Sequence, residues 1–260
     1  MGRARMHIEV LGADGGKKSG SSLVAMKIGR SVLIDAGSAS SLKDDEQSQI
    51  EVVLLTHAHL DHILELGFMA DAAASLRDSP LRVLGSAASL KAVQTHYMND
   101  LVWPDFSRIR TSSGPAVIYE TIVDHEWVEL PGGLSAMPVP VSHGAGARGF
   151  LLRSPSGGAA VYTGDTGPTS DIWEEASKLE DIELILAEVS FPDSMTDLAI
   201  SSDHLTPKLL AEELRKLDRP SAPVFAFHLK PWYRQEIDRD LSRRLGDRAV
   251  LLMRGDRLTF

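Results

Sequence analysis

The chain has 260 residues, 43% of them hydrophobic, enough for one sizeable core at the upper end of single-domain size. It contains no cysteine, which excludes disulfides, thiolate metal sites and thiol catalysis, so any metal must be held by imidazole and carboxylate. A formal charge of −9 works against long nucleic acid, which needs clustered Lys and Arg, but leaves room for a small anionic substrate held locally by metal.

The N-terminal MGRARMHIEV has no apolar signal core, and no apolar run reaches the ~18 residues of a membrane span. The expectation is a soluble, cytoplasmic, single domain over 1–260 that does not engage a membrane. HIEVLG (7–12), SSLVAMKI (21–28) and SVLIDAG (31–37) alternate or are rich in β-branched residues, and Gly-rich turns separate them, so they read as consecutive hairpin strands. IEVVLLT (50–56) is a continuous apolar run, the pattern of a buried strand. Helices are predicted over 63–76 and 86–98.

The second half predicts strands near 117–122, 134–141, 148–153 and 158–163, a helix near 170–180 and the strand IELILAEV (182–189). A helix over 206–217 has Thr206 at its N-cap and Pro207 at its first position. The strands PVFAFH (223–228) and AVLLM (249–253) close the chain. Two β-rich halves with helices outside predict two sheets packed face to face between helical layers.

The buried strand over 50–56 ends where THAHLDHI begins, and this stretch holds His57, His59, Asp61 and His62 in a chain with nine histidines. From a turn, His57 and His59 can point to one centre and Asp61 and His62 to a neighbouring one. Neutral imidazole and ionised carboxylate suit zinc, manganese or iron. Three further apolar strands end in the same way: SAMPVPVSHG in His143, GGAAVYTGDTG in Asp165 and APVFAFHLK in His228. A lone strand-end histidine is ordinarily structural and an Asp in a GDTG turn is often a turn former. Four such ends in one chain argue for a metal site, with Asp165 as the carboxylate that bridges two cations.

HAHLDH, VLIDAG with Asp35, VSHG, TGDTG and FHL resemble, in order, the motifs of the metallo-β-lactamase superfamily, and the correspondence covers nearly the whole chain. The resemblance implies a four-layer αββα sandwich of two mixed β-sheets flanked by helices, an α/β fold. It implies that His57, His59 and His143 bind one metal, that Asp61, His62 and His228 bind a second, and that Asp165 bridges them, with Asp35 supporting the site. Two divalent cations are expected, zinc first, with manganese or iron(II) as alternatives.

The superfamily motif leaves the substrate open. LAEVSF places Glu188 at a strand end, and SSDHLTP places His204 before a helix. The pair resembles the element of phosphodiester-cleaving members in which a glutamate orients a histidine near the leaving group. Leu60 within HAHLDH, together with DHLTP, resembles the class II 3′,5′-cyclic-nucleotide phosphodiesterases more closely than the tRNA 3′-processing endonucleases. The implied reaction is hydrolysis of cyclic AMP or cyclic GMP to the nucleoside 5′-monophosphate, with metal-activated hydroxide as nucleophile, Asp61 accepting its hydrogen bond and His204 as general acid. The alternatives are an RNA 3′-end phosphodiesterase, for which no long basic arm is present, and a thioester or lactone hydrolase, in which Glu188 and His204 have no task. A homodimer is one option for a hydrolase of this size.

HYMNDLVWPDF (96–106) offers Tyr97, Trp103 and Phe106 either as a base-stacking lid or as core, and core is the commoner use. FHLKPWY sets Lys230, Trp232 and Tyr233 beside His228, with Lys230 a candidate phosphate contact. His7, His96 and His125 have no partner motif.

Overall fold

The computed structural model describes residues 5–217 and 222–260. Chain segments up to residue 121, joined by the C-terminal strand Arg257–Thr259, build one seven-stranded sheet, and those from 128 to 251 build the other. The first sheet runs, edge to edge, through Arg257–Thr259, His7–Gly12, Ala25–Ile28, Val32–Ile34, Val52–Leu54, Leu81–Gly85 and Val117–Thr121. The second runs through Ala249–Leu251, Val224–Phe227, Ile182–Glu188, Ala159–Tyr162, Arg148–Arg153, Ser135–Pro140 and Val128–Glu129. In each sheet one side is antiparallel and the other parallel. The first is parallel from Val32–Ile34 onward, and the second from Ala159–Tyr162 towards Ala249–Leu251.

Three apolar clusters make the layers. Ile8, Met26, Ile34 and Leu54 of the first sheet meet Phe150, Tyr162, Leu186 and Phe227 of the second in the central cluster. On the outer face of the first sheet, Leu33, Val53 and Val83 pack against Leu66, Met69 and Ala73 of helix Leu66–Leu76 and Leu90 of helix Ala87–His96. On the outer face of the second, Leu151, Ile185 and Ala226 pack against Trp173 of helix Asp171–Ser177, Leu210 of helix Pro207–Glu213 and Ile237 of helix Arg234–Leu245. Strands such as VVL at 52–54 and AAVY at 159–162 are buried on both faces, which is why they read as unbroken apolar runs. Each large side chain so buried contributes about 1.5–3 kcal/mol. The expected αββα sandwich is the observed fold.

Local departures have physical causes. The run 21–28 is a strand only over Ala25–Ile28, and the pairing of His7–Gly12 with it shifts register between Val10 and Gly12. Pro138 and Pro140 lie in a strand because the short neighbour Val128–Glu129 pairs only with Ser135 and Ala136, leaving the rest of that edge without ladder bonds to break. Thr206 caps its helix as expected, its side chain accepting from the Leu209 N–H, but the last turn tightens to a 3-10 helix over Leu214–Lys216. Helix Arg234–Leu245 and strand Arg257–Thr259 carry no sequence expectation; the helix buries just Ile237 and Leu241 along a charged segment.

Candidate metal centre

The parallel strands of both sheets send their C-terminal ends to one edge of the sandwich. Val52–Leu54 leads through Leu55 and Thr56 to His57, and Asp61 and His62 then sit on a single helical turn, Leu60–Ile63, not on an irregular loop. Ala159–Tyr162 leads to Asp165, Ile182–Glu188 ends in Glu188, and Val224–Phe227 leads to His228. His143 arrives from Ser135–Pro140, in the antiparallel part of the second sheet.

All seven residues expected as ligands come together. Ligand atoms of His57, His59 and His143 lie within 4.8 Å of one another, as do those of Asp61, His62 and His228. Asp165 Oδ2 sits between the groups, 3.0 Å from His228 Nε2, 3.2 Å from His62 Nε2, 3.8 Å from His57 Nε2 and 3.9 Å from His143 Nε2. On the open side Asp61 Oδ2 lies 3.1 Å from His228 Nε2. A tetrahedral cage with bonds near 2.1 Å has edges of about 3.4 Å, so these separations suit shared cations.

Each ring except that of His59 is pinned from outside by its Nδ1. His57 Nδ1 meets Thr56 Oγ1 at 3.0 Å, His62 Nδ1 meets Asp35 Oδ2 at 2.7 Å and His143 Nδ1 donates to the Asp203 carbonyl at 2.9 Å. His228 Nδ1 meets Ser190 Oγ at 2.8 Å, and His204 Nδ1 donates to Glu188 Oε1 at 2.7 Å. His59 is reversed, its Nδ1 lying 3.0 Å from His143 Nε2. Such outer contacts fix the tautomer and aim the free nitrogen. Asp35 has no exposure and takes the left-handed backbone at φ 58°, a region Asp tolerates better than most residues; its carboxylate also accepts from the Thr56 N–H and hydroxyl.

Burial, reinforced by His62, holds the His57 imidazole well below its usual pKa, and burial with His143 lowers His59, so both favour the neutral form that ligates. Burial opposes charge on Asp165, but His228 and His62 outweigh it and hold the carboxyl well below its usual range; His228 does the same against burial for Asp61. His62 is the exception, because Asp165 and Asp35 overcome burial and raise it. A cation at His62 Nε2 would take the place of the proton that faces Asp165, while the Nδ1–H stays with Asp35.

The residues fit a dinuclear site on a second count. Among the described residues, His57 Nε2, His62 Nε2 and Asp165 Oδ1 are buried without a hydrogen-bond partner. Buried polar atoms left unpaired are costly and usually mark a missing partner, and His57, His62 and Asp165 offer ligand atoms within 4.8 Å of one another.

Glu188 is fully buried and meets His204 as expected; it also accepts from the Thr166 and Leu205 N–H groups. Burial lowers the tendency of His204 to protonate, but Glu188 outweighs it and raises the pKa. Phe106 is core, Trp103 packs edge-on against Phe68 at 5.0 Å and the Tyr97 hydroxyl donates to the Leu64 carbonyl, so this segment is fastened to helix Leu66–Leu76. Lys230 donates one of its three ammonium protons to the Gly15 carbonyl at 2.6 Å. That loop passes so close to His228 that a Cβ on Gly15 would lie 2.6 Å from the imidazole. Thr56, Ser190 and the Asp203 carbonyl carry no expectation from the sequence; the signal available for Ser190 is that it follows Glu188 by two, on the same face of an extended chain.

The sequence profile described as the beta-lactamase superfamily domain matches residues 30–228. The chain belongs to the β-lactamase superfamily. With its fold it is a metallo-β-lactamase-fold hydrolase. The 3′,5′-cyclic-nucleotide phosphodiesterase of Schizosaccharomyces pombe is 25% identical over 238 residues, covering 79% of this chain and 66% of that protein. Aligned regions take up about two thirds or less of the curated relatives' own lengths. The crystal structure of unliganded yeast PDE1 superposes with a TM-score of 0.80 at 19% identity, covering 98% of this chain and 99% of that one. Human tRNase Z, short form, superposes at 0.64 with 16% identity, covering 97% and 98%. No helix among the described residues is long and apolar enough to cross a membrane.

Proposed function

We propose that residues 1–260 form one metal-dependent phosphodiesterase domain that hydrolyses 3′,5′-cyclic nucleotides, cyclic AMP or cyclic GMP, to nucleoside 5′-monophosphates. The observation that carries this reading is the buried Glu188–His204 contact at 2.7 Å, beside the metal ligands. The His204 ring lies 4.8 Å from that of His143 and 5.2 Å from that of His228. With Nδ1 committed to Glu188, the proton on Nε2 is the one available to a substrate. A phosphodiester with an alkoxide leaving group needs such a proton. The likeness to the Schizosaccharomyces pombe phosphodiesterase supports the same substrate class.

His57, His59 and His143 would hold one cation and Asp61, His62 and His228 the other, with Asp165 between; zinc suits the His/Asp donor set first, manganese or iron(II) next. When bound, two such cations lower the pKa of a shared water and neutralise the phosphoryl oxygens. Asp61, on the open side, accepts a hydrogen bond from the attacking water. Glu188 keeps His204 protonated and aimed, and His204 gives its Nε2 proton to the departing 3′ oxygen, a contribution of about 10²–10⁴-fold.

The test is purified, zinc- or manganese-loaded protein incubated with 3′,5′-cyclic AMP, the product separated by chromatography beside bis(p-nitrophenyl) phosphate as a general diester. Formation of 5′-AMP, abolished by Asp165→Ala, is the expected result. Cleavage of the synthetic diester with cyclic AMP left intact refutes the cyclic-nucleotide assignment and redirects the search to RNA 3′ ends.

A further inference from the structure

We infer that Ser190 is a positioning residue that fixes His228 as a ligand of the second cation and joins that ligand to the His204 proton donor; the inference rests on the dinuclear reading above. Ser190 is fully buried, two residues beyond Glu188. One short extended stretch therefore delivers both partners, Glu188 to His204 and Ser190 to His228.

A cation on His228 Nε2 requires the ring proton on Nδ1, and the hydrogen bonds around Ser190 accommodate that form. A serine hydroxyl has one proton and two acceptor lone pairs. Ser190 Oγ lies 3.2 Å from the His228 carbonyl, which can only accept, so the hydroxyl proton goes there. Both lone pairs then face ring nitrogens, His228 Nδ1 at 2.8 Å and His204 Nδ1 at 3.2 Å. With its proton donated from Nδ1 to Ser190 Oγ, His228 leaves the Nε2 lone pair for a cation beside Asp61 Oδ2 and Asp165 Oδ2, which lie 3.1 and 3.0 Å away. That is the ligating tautomer. Without the hydroxyl, the buried Nδ1–H has no partner, and moving the proton to Nε2 gains a hydrogen bond to either carboxylate. The ring would then block its own ligand atom. The same hydroxyl also holds the His228 turn, whose backbone sits at φ 61°.

The experiment compares wild type, Ser190→Ala and Ser190→Thr by metal content per chain across a zinc titration against a competing chelator, with no substrate present. Long-range ¹⁵N–¹H spectra of the metal-free proteins report the His228 tautomer. Ser190→Ala is expected to weaken one of two zinc equivalents about 10–100-fold, to leave the other at wild-type affinity and to move the His228 proton to Nε2. Ser190→Thr, which keeps the hydroxyl, is expected to restore both. Wild-type zinc binding and an unchanged tautomer in Ser190→Ala overturn the inference, as does failure of Ser190→Thr to restore them. Because the readout needs no turnover, wild type that binds two zinc ions but spares cyclic AMP sinks the substrate assignment alone. Wild type that binds fewer than two sinks both.

Discussion

Asp35 is the most informative place to perturb the support of the site, because it holds strand, motif and ligand together from a position without solvent. Its two oxygens take the Thr56 N–H at 2.9 Å, the Thr56 hydroxyl at 2.9 and 3.1 Å and His62 Nδ1 at 2.7 Å. Asp35→Ala strands all of these in a fully buried space, and breaking a buried charged pair from one side costs about 3–5 kcal/mol. At ~2–4 °C per kcal/mol for a chain of this size, Tm should fall by roughly 6–20 °C. Asp35→Asn keeps the shape but turns one acceptor into a donor facing His62, at a cost of about 1–3 kcal/mol. Asp35→Gly is at ease at φ 58°, so it separates backbone strain from lost hydrogen bonds. Thermal and denaturant unfolding of the three metal-free variants should rank Asn above both Gly and Ala. A Gly variant as stable as wild type would refute the reasoning, because the cost would then be backbone strain.

Three further outcomes follow from the same structure. His204→Ala should lower phosphodiester turnover about 10²–10⁴-fold with zinc content unchanged; loss of zinc in that variant would make His204 a ligand instead. Tyr162→Phe removes a hydroxyl that is buried without a partner between the sheets, so unfolding free energy should stay level or rise by about 1 kcal/mol, and a clear loss would reveal a hidden partner. Lys27 lowers the pKa of Glu9 and Glu46 through hydrogen bonds, so their contribution to stability is full above the unfolded carboxylate pKa of about 4.3 and is lost as pH falls through the lowered folded values. Lys27→Met should therefore flatten the loss of Tm on acidification below ~pH 4.3, and an unchanged slope would remove these ion pairs from the account.

The cluster of candidate ligands was legible because four apolar runs end in it, at His57, His143, Asp165 and His228, a pattern in one dimension. What stayed hidden depends on the third. Thr56 and Ser190 are ordinary hydroxyl residues in sequence, and their work appears only once the rings of His57 and His228 are seen against them. Helix Arg234–Leu245 was missed because two buried positions four apart make too narrow a stripe among RQEIDRDLSRRL to stand out. The aromatics of 96–106 carried two readings, and Phe106 in the core decides for packing. The tie from Lys230 to the Gly15 carbonyl was hidden because the two lie 215 residues apart in the chain.

The strand-end pattern has a topological cause. In a parallel pair the chain cannot return by a hairpin, so each strand finishes in a long connection at the same edge of the sheet. Val32–Ile34 and Val52–Leu54 are parallel neighbours in one sheet; Ala159–Tyr162, Ile182–Glu188 and Val224–Phe227 are parallel neighbours in the other. Their ends deliver Asp35, His57, Asp165, Glu188 and His228 to one edge, where the central apolar layer between the sheets gives way to imidazoles and carboxylates. The strands are held by packing on both faces, so the groups they carry are positioned before any cation or substrate arrives. A substitution in that central layer, such as one at Phe227 one residue before His228, should therefore disturb metal affinity as well as stability, whereas one on helix Arg234–Leu245 should touch stability alone.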